Sequence, residues 1–142
     1  TGAVLCNAPE EEVNALRDYG YHLGMGFQII DDILDFKGDE EQIGKPVAND
    51  LRQGIATLPV MLFNQQHPNN ETILKAVRRQ PVSDDEILDV VEKIRASGCV
   101  EASMEEAVRY VRQAQADLEI LPDNPYKQAL HGLADYTVTR DI

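Results

Sequence analysis

Apolar residues recur every three or four positions along most of the chain, which is the period of an amphipathic helix. The first such pattern runs from Glu10 to about Phe36. It follows Pro9 and begins with three consecutive glutamates, whose negative charge suits the positive N-terminal end of a helix. Its apolar positions are Val13, Leu16, Tyr19 or Gly20, Leu23, Phe27, Ile30 and Leu34. We find no β-hairpin signal and no internal repeat in the sequence. The pattern predicts an all-α fold of antiparallel helices joined by short loops.

Capping and turn residues set the remaining boundaries. The segment from Lys37 to Asp50 is polar and contains two glycines and a proline, so it is predicted to be a loop. Thr57 is the predicted N-cap of a helix that carries Pro59 in its first turn and extends to about residue 66. Ser83 and Glu86 have the spacing of a capping box, and Gly98 is the matching C-terminal stop. The later helices are predicted over about 71–79, 83–97, 101–121 and 125–139. The last has Asn124 as its predicted N-cap and Leu130, Leu133 and Ala134 facing inward.

Composition limits the classes of function. The chain has 142 residues and a formal net charge of -12, and 43% of its residues are hydrophobic. It is large enough for one domain with a core. The acidic charge argues against nucleic acid as a partner. No apolar run approaches the ~20 residues that span a membrane. The two cysteines, Cys6 and Cys99, follow no metal-ligand spacing and are typical of free thiols in a cytoplasmic protein.

Three carboxylates interrupt the apolar run from Phe27 to Asp35. On a helix, Asp31 and Asp35 lie one turn apart on the same face, with Asp32 beside them and Phe27 one turn upstream. Like charges at this spacing weaken a helix, and burying one without a partner costs far more. Clustered carboxylate oxygens suit a Mg²⁺ ion that is shared with a phosphate group. The sequence therefore predicts a metal site here.

Two other interpretations of these aspartates remain open. They could form a solvated helix face without a ligand. They could also belong to a helical module that binds a divalent cation such as Ca²⁺. An EF-hand loop, however, needs alternating oxygen ligands and a glycine at its sixth position, and the run from Asp31 to Asp35 lacks that alternation.

The aspartate run and the motifs that follow it resemble the C-terminal half of a trans-polyprenyl diphosphate synthase. The matching stretch begins at Gly24 and ends at Asp35. In the same order and spacing come Gly44-Lys45-Pro46, Asp50-Leu51, Gly54 and Thr57-Leu58-Pro59. The likeness extends over nearly the whole chain and is greater to bacterial medium- and long-chain synthases of the heptaprenyl or octaprenyl type. One position departs from it, because many relatives have a lysine where this chain has Ile55.

The resemblance implies a chemistry and a set of site residues. Such enzymes condense isopentenyl diphosphate with an allylic diphosphate, and Mg²⁺ (or Mn²⁺) assists ionisation to an allylic cation. By position, Asp31 would be the most direct metal ligand, and Asp32 and Asp35 would follow it. Phe27 and Gln28 would line the allylic pocket, and Lys45 would close over the diphosphate. Asp50 would either bind substrate or merely cap the following turn, and Lys45 could be an ordinary loop lysine.

The resemblance also implies that residues 1–142 are only part of a single synthase domain. The family's enzymes are about twice this length and carry two aspartate-rich motifs on facing helices, and this chain has only the second of them, without the N-terminal half. The start at Thr1, without a methionine, supports a fragment of a longer protein, which we expect to be inactive alone. The alternative is a subunit of a heteromeric synthase. We further expect a homo-oligomer, because truncation would expose the apolar pairs Ile29/Ile33 and Val108/Val111.

Overall fold

The computed structural model describes residues 2–37 and 47–139, and these residues form helices and connecting turns. The helices are α1 (Gly2–Leu5), α2 (Glu10–Lys37), α3 (Asn49–Arg52), α4 (Leu58–Gln66), α5 (Glu71–Val77), α6 (Asp84–Ala96), α7 (Cys99–Asp117) and α8 (Pro125–Thr139). A 3₁₀ turn, Leu118–Ile120, follows α7. No strand occurs in the two described ranges, so the all-α prediction is confirmed for them.

Most predicted boundaries agree with the structure to within two residues, and the differences have local causes. The helix α3 lies partly inside the segment that was predicted to be a loop, since four residues are too short for a periodic signal. The helix α5 ends at Val77 rather than at Arg79, whose φ of 55° cannot continue a helix. The predicted start of α7 was two residues late, and its last turn tightens to the 3₁₀ form before Leu121.

The predicted helix caps were correct in two cases and incomplete in a third. Ser83 and Glu86 form the reciprocal capping box at the start of α6. Asn124 Oδ1 accepts hydrogen bonds from the Tyr126 and Lys127 amides at the start of α8. Thr57 occupies the N-cap position of α4, but its side chain makes no capping hydrogen bond. Among the described residues its buried hydroxyl has no partner.

The described chain divides into two compact units. The first contains residues 2–28 and 106–139 and is centred on Tyr19. The Tyr19 hydroxyl donates a 2.9 Å hydrogen bond to the Leu130 carbonyl, and burial raises the pKa of the phenol. The buried cluster is Tyr19, Val111, Ala114, Leu118 and Ala134, with Leu16, Leu23, Leu121, Leu130 and Val138 packed against it. Leu133, which was predicted to face inward, is 49% exposed, so that prediction was wrong.

A glycine permits close helix packing in this first unit. A Cβ atom on Gly26 would lie 2.8 Å from Val111 Cγ2 and 3.2 Å from the Ala107 carbonyl oxygen. Neither distance leaves room for a methyl group, so Gly26 allows α2 and α7 to approach each other here.

The second unit contains the described residues of 29–105. In it α5 packs against α3 and α6, and α4 packs against α6. Its buried apolar residues are Ile29, Ile30, Ile33, Phe36, Val47, Ala48, Leu51, Val60, Phe63, Ile73, Ala76, Ile87, Val90, Val91, Ile94, Cys99 and Val100.

A second glycine is needed where the chain leaves α3. Gly54 has a φ of 80°, and a Cβ there would lie 2.8 Å from the Ala76 carbonyl oxygen. Both the left-handed backbone and the close approach to α5 therefore favour glycine at this position.

The apolar pairs that were expected to be exposed by truncation are largely covered within the chain. Ile29 and Ile33 are 6% and 0% exposed, Val111 is buried and Val108 is half-buried. The expectation that these side chains would be exposed was therefore wrong, and the homo-oligomer stays a prediction without this support. In the described part of the chain, no helix is both long enough and apolar enough to cross a membrane.

Candidate functional site

The last three turns of α2 separate an apolar face from an acidic one. Ile30 and Ile33 are completely buried, whereas Asp31 is exposed and Asp32 and Asp35 are half-buried. This arrangement is what a 3.6-residue period requires of the sequence. It places the predicted metal ligands at the surface of the second unit, within reach of a ligand.

Asp35 joins the end of α2 to the start of α3. Its Oδ1 accepts a 3.1 Å hydrogen bond from the Asn49 amide, and its Oδ2 accepts another of 3.1 Å from the Asp50 amide. Its main-chain carbonyl accepts a third, 2.9 Å long, from the amide of Ala48. Ala48 has a φ of 52°, which turns the chain into α3. Asp35 thus satisfies the amides at the α3 N-terminus, and each carboxylate oxygen keeps a second lone pair.

Asp50 is placed by these bonds in the first turn of α3, near the acidic face of α2. Burial raises the pKa of its carboxyl above the ordinary value, and the negative charges of Asp35 and Asp31 raise it further. The Asp50 amide is bonded to Asp35, and Asp31 lies one turn before Asp35 on the same face of α2. We refer to Asp31, Asp35 and Asp50 as the acidic cluster, although 15 residues separate Asp35 from Asp50 in the sequence.

The acidic cluster fits Mg²⁺ by donor chemistry but is not a protein cage for a metal. In residues 2–37 and 47–139, no three His, Cys, Asp or Glu side chains are grouped closely enough to hold an ion by themselves. Mg²⁺ prefers oxygen donors, keeps several of its waters, and is commonly held by one or two carboxylates together with substrate phosphates. The donor set of Asp31, Asp35 and Asp50 suits that second kind of site.

The other predicted site residues have different outcomes. Phe27 is 44% exposed and Gln28 is also exposed, both on α2 in the first unit. Exposure at Phe27 means that this ring is not simply part of the core. Lys45 lies outside the described residues, so its predicted role has no structural description here.

Two arginines beside the acidic cluster were not found from the sequence. Arg95 Nε, at the end of α6, donates a 2.6 Å hydrogen bond to the Phe36 carbonyl. Arg52 Nε, in α3, donates a 3.0 Å hydrogen bond to the Val47 carbonyl, and its Nη1 pairs with Asp84. Arg95 is 59 residues from Phe36, and its only sequence signal is a basic residue in the last turn of a helix. That signal is too common to indicate a site.

Curated relatives with similar sequences are polyprenyl diphosphate synthases. The chain is 37% identical over 139 residues to the octaprenyl diphosphate synthase of Escherichia coli strain K12, covering 97% of this chain and 43% of that protein. It is 38% identical over 135 residues to heptaprenyl diphosphate synthase component 2 of Bacillus subtilis strain 168, covering 95% of this chain and 38% of that protein.

Solved structures show the same relationship. A polyprenyl synthase from Caulobacter crescentus CB15, complexed with calcium and isoprenyl diphosphate, matches with a TM-score of 0.82 and 36% identity over 98% of this chain and 43% of that one. A heptaprenyl diphosphate synthase from Staphylococcus aureus matches with a TM-score of 0.83 and 32% identity over 95% of this chain and 42% of that one.

The extent of the match is consistent across sequence and structure. The chain spans less than half the length of the curated relatives it matches. The family model for polyprenyl synthetase covers residues 1–94 of the 142, including the acidic face of α2, α3 and the turn at Gly54. On this evidence the chain belongs to the polyprenyl synthetase family.

Proposed function

We propose that this chain supplies one wall of the active site of a trans-polyprenyl diphosphate synthase. The reaction would join isopentenyl diphosphate to an allylic prenyl diphosphate and release inorganic diphosphate. The observation that carries the proposal is the pair of hydrogen bonds by which Asp35 holds the Asn49 and Asp50 amides, because they join the predicted metal ligands of α2 to Asp50 of α3. Repulsion among these carboxylates would raise the free energy of the metal-free protein, and a bound cation would relieve that repulsion.

Divalent metal would be held through Asp31, with Asp32, Asp35 and Asp50 as supporting oxygen donors. Mg²⁺ is the ion that this chemistry favours, and Mn²⁺ has similar preferences. When bound, the metal would stabilise the negative charge that develops on the departing diphosphate.

The protein's own groups would orient the reactants. Asp35 holds α3 through the Asn49 and Asp50 amides, which keeps Asp50 next to the acidic face of α2. By family resemblance, Phe27 and Gln28 would line the allylic chain, and Lys45 would offset charge on the diphosphate. The allylic C–O bond then breaks, the isopentenyl double bond attacks the resulting cation, and loss of a proton restores a double bond.

A complete site would need more than the residues in this chain. The relatives are more than twice as long, and the family's other aspartate-rich motif would supply the facing carboxylates. Prenyl transfer depends on holding two substrates in attack geometry, an effect that one wall cannot provide. We therefore expect the 142-residue chain alone to be inactive, and activity to require the rest of the reading frame or a partner chain.

The test is prenyl transfer by the protein expressed from the full reading frame, with radiolabelled isopentenyl diphosphate and Mg²⁺. Asp31→Ala should lower kcat by at least ~10²-fold, the effect of losing one stabiliser of transition-state charge. Asp123→Ala is the matched control, since Asp123 is exposed in the turn before α8. Its kcat should remain within about twofold of the parent, because the substitution is remote from the proposed chemistry.

A near-parental rate for Asp31→Ala would overturn the assignment of Asp31. Elongation of farnesyl diphosphate by the unassisted 142-residue chain would overturn the incomplete-site proposal. Activity that survives removal of divalent metal by EDTA would overturn the metal requirement.

A second candidate is one subunit of a heteromeric synthase. The observation in its favour is the 38% identity to a protein named as component 2 of a heptaprenyl diphosphate synthase. A homo-oligomer is the simpler proposal, and light scattering with activity assays separates the two. A heteromeric enzyme would be inactive when purified from its full reading frame and would gain activity when the second protein is added.

A further inference from the structure

The acidic cluster depends on contacts that are not made by its own carboxylates. The last four carbonyls of an α-helix have no partner within the helix. At the end of α2, the carbonyl of Asp35 is satisfied by the Ala48 amide, and that of Phe36 by Arg95 Nε at 2.6 Å. The cation at Arg95 also lies at the negative end of the helix dipole. Both interactions fix the turn that carries Asp35.

The turn that leads into α3 is also held by an arginine side chain. Val47 immediately precedes the turn into α3, and its carbonyl accepts a 3.0 Å hydrogen bond from Arg52 Nε. The same guanidinium pairs with Asp84 in the first turn of α6. The helix α6 therefore contacts the end of α2 through Arg95 in its last turn, and α3 through the pairing of Asp84, in its first turn, with Arg52.

We propose that Arg95 is a positioning residue for the metal–diphosphate site. By capping the Phe36 carbonyl it holds the last turn of α2, so that both oxygens of Asp35 reach the Asn49 and Asp50 amides and α3 stays attached to the end of α2. This inference rests on the proposed function for its catalytic meaning, but its structural step is independent of any ligand. Nothing in the chemistry requires Arg95 to touch the metal or either substrate.

The structural step can be tested by amide hydrogen exchange, measured residue by residue by NMR. Arg95→Gln removes the cation and the guanidinium, and Asn49 and Asp50 should then exchange at least tenfold faster than in the parent. Val90 in the buried middle of α6 should be unchanged, because its hydrogen bond opens only with the helix itself. Arg78→Gln is the matched control, as Arg78 is exposed in the same unit.

A conservative variant separates positioning from general destabilisation. Arg95→Lys keeps a charged donor on a side chain of similar length and should hold exchange at Asn49 and Asp50 within about threefold of the parent. Arg95→Lys also provides a folded sample if Arg95→Gln does not fold. In that sample, faster exchange at Val90 without faster exchange at Asn49 and Asp50 would show only a structural effect. Unchanged exchange at Asn49 and Asp50 in Arg95→Gln, or equal acceleration at Val90, would overturn the inference.

Ligand binding distinguishes this inference from the function on which it rests. Affinity for Mn²⁺ with inorganic pyrophosphate should fall about tenfold in Arg95→Gln and little in Arg78→Gln. If the parent binds no Mn²⁺–pyrophosphate while the exchange effect is present, the proposed site fails and the positioning contact stands. If the parent binds but Arg95→Gln binds equally well, Arg95 does not position the site.

Discussion

Two sets of carboxylates, one in each unit, have opposite surroundings. In the first unit Asp117 Oδ2 lies 2.6 Å from His22 Nδ1, and Asp135 accepts a 2.7 Å hydrogen bond from Gln115. In the second unit Asp50 is near Asp35 and Asp31, whose charges raise its pKa. The first arrangement pairs complementary groups, whereas the second collects groups that repel one another.

On the proposed function, this difference separates residues that serve the fold from residues that would serve a ligand. Complementary pairs lower the free energy of the folded chain without assistance. Like charges held together raise it, and folded proteins accept such local conflicts mainly at functional sites. The comparison predicts that removing the carboxylate of Asp117 destabilises the chain, whereas removing the charge of Asp50 stabilises it. Only the change at Asp50 is expected to weaken ligand binding.

The largest effect on stability is expected at Asp117. Its side chain and that of His22 are only 20% and 19% exposed, so Asp117→Ala leaves a mostly buried imidazole without its carboxylate. We expect a loss of about 1–3 kcal/mol in the free energy of unfolding, measured by urea denaturation. Asp123→Ala, on an exposed turn, should change it by less than about 0.5 kcal/mol. Equal midpoints for the two variants would contradict the comparison.

Packing in the first unit gives a second prediction with a matched pair of glycines on α2. Gly26→Ala places a methyl group 2.8 Å from Val111 Cγ2, and the stiff β-branched side chain cannot turn away easily. We expect a loss of about 1–2 kcal/mol. Gly24 has no atom within 4 Å of a built Cβ, so Gly24→Ala should stabilise α2 by up to about 1 kcal/mol. Thermal unfolding that ranks the pair in the other order would refute this account of Gly26.

The sequence predicted the helices well because their signals are local. The capping box at Ser83, the cap at Asn124 and the stop at Gly98 each depend on residues within one turn, and the structure confirms them. Periodicity also separated Ile30 and Ile33 from Asp31. The short helix α3 was missed because four residues cannot display a period, and Leu133 was misplaced because one face of α8 remains uncovered.

The candidate site was predictable only in part. The spacing of Asp31 and Asp35 fixes their common face, and family resemblance added Asp50 to the set. That Asp35 would cap α3, or that Arg95 would cap Phe36, depends on how distant segments pack. No sequence period encodes a contact across 59 residues, so these roles needed the structure.

The smallest predicted effect concerns Asp50 and has the opposite sign to that of Asp117. Its folded pKa is raised, so the folded chain binds this proton more tightly than the unfolded chain does. Stability should therefore fall as the pH rises from the ordinary value of 3.8 through the raised pKa, and stay lower above it. Asp50→Asn removes this loss and should stabilise the chain at pH 7 by less than about 1 kcal/mol, since solvent screens the charges.

Two measurements decide whether Asp50 belongs to a functional cluster. The stability advantage of Asp50→Asn should vanish below pH 3.8, where the parent carboxyl is protonated in both states. Asp85→Asn is the control: it removes a favourable charge from the first turn of α6 and should destabilise by a few tenths of a kcal/mol at pH 7. Affinity for Mn²⁺–pyrophosphate should fall in Asp50→Asn and not in Asp85→Asn. An Asp50→Asn protein that is less stable at pH 7, yet binds as tightly as the parent, would make Asp50 a structural residue like Asp117.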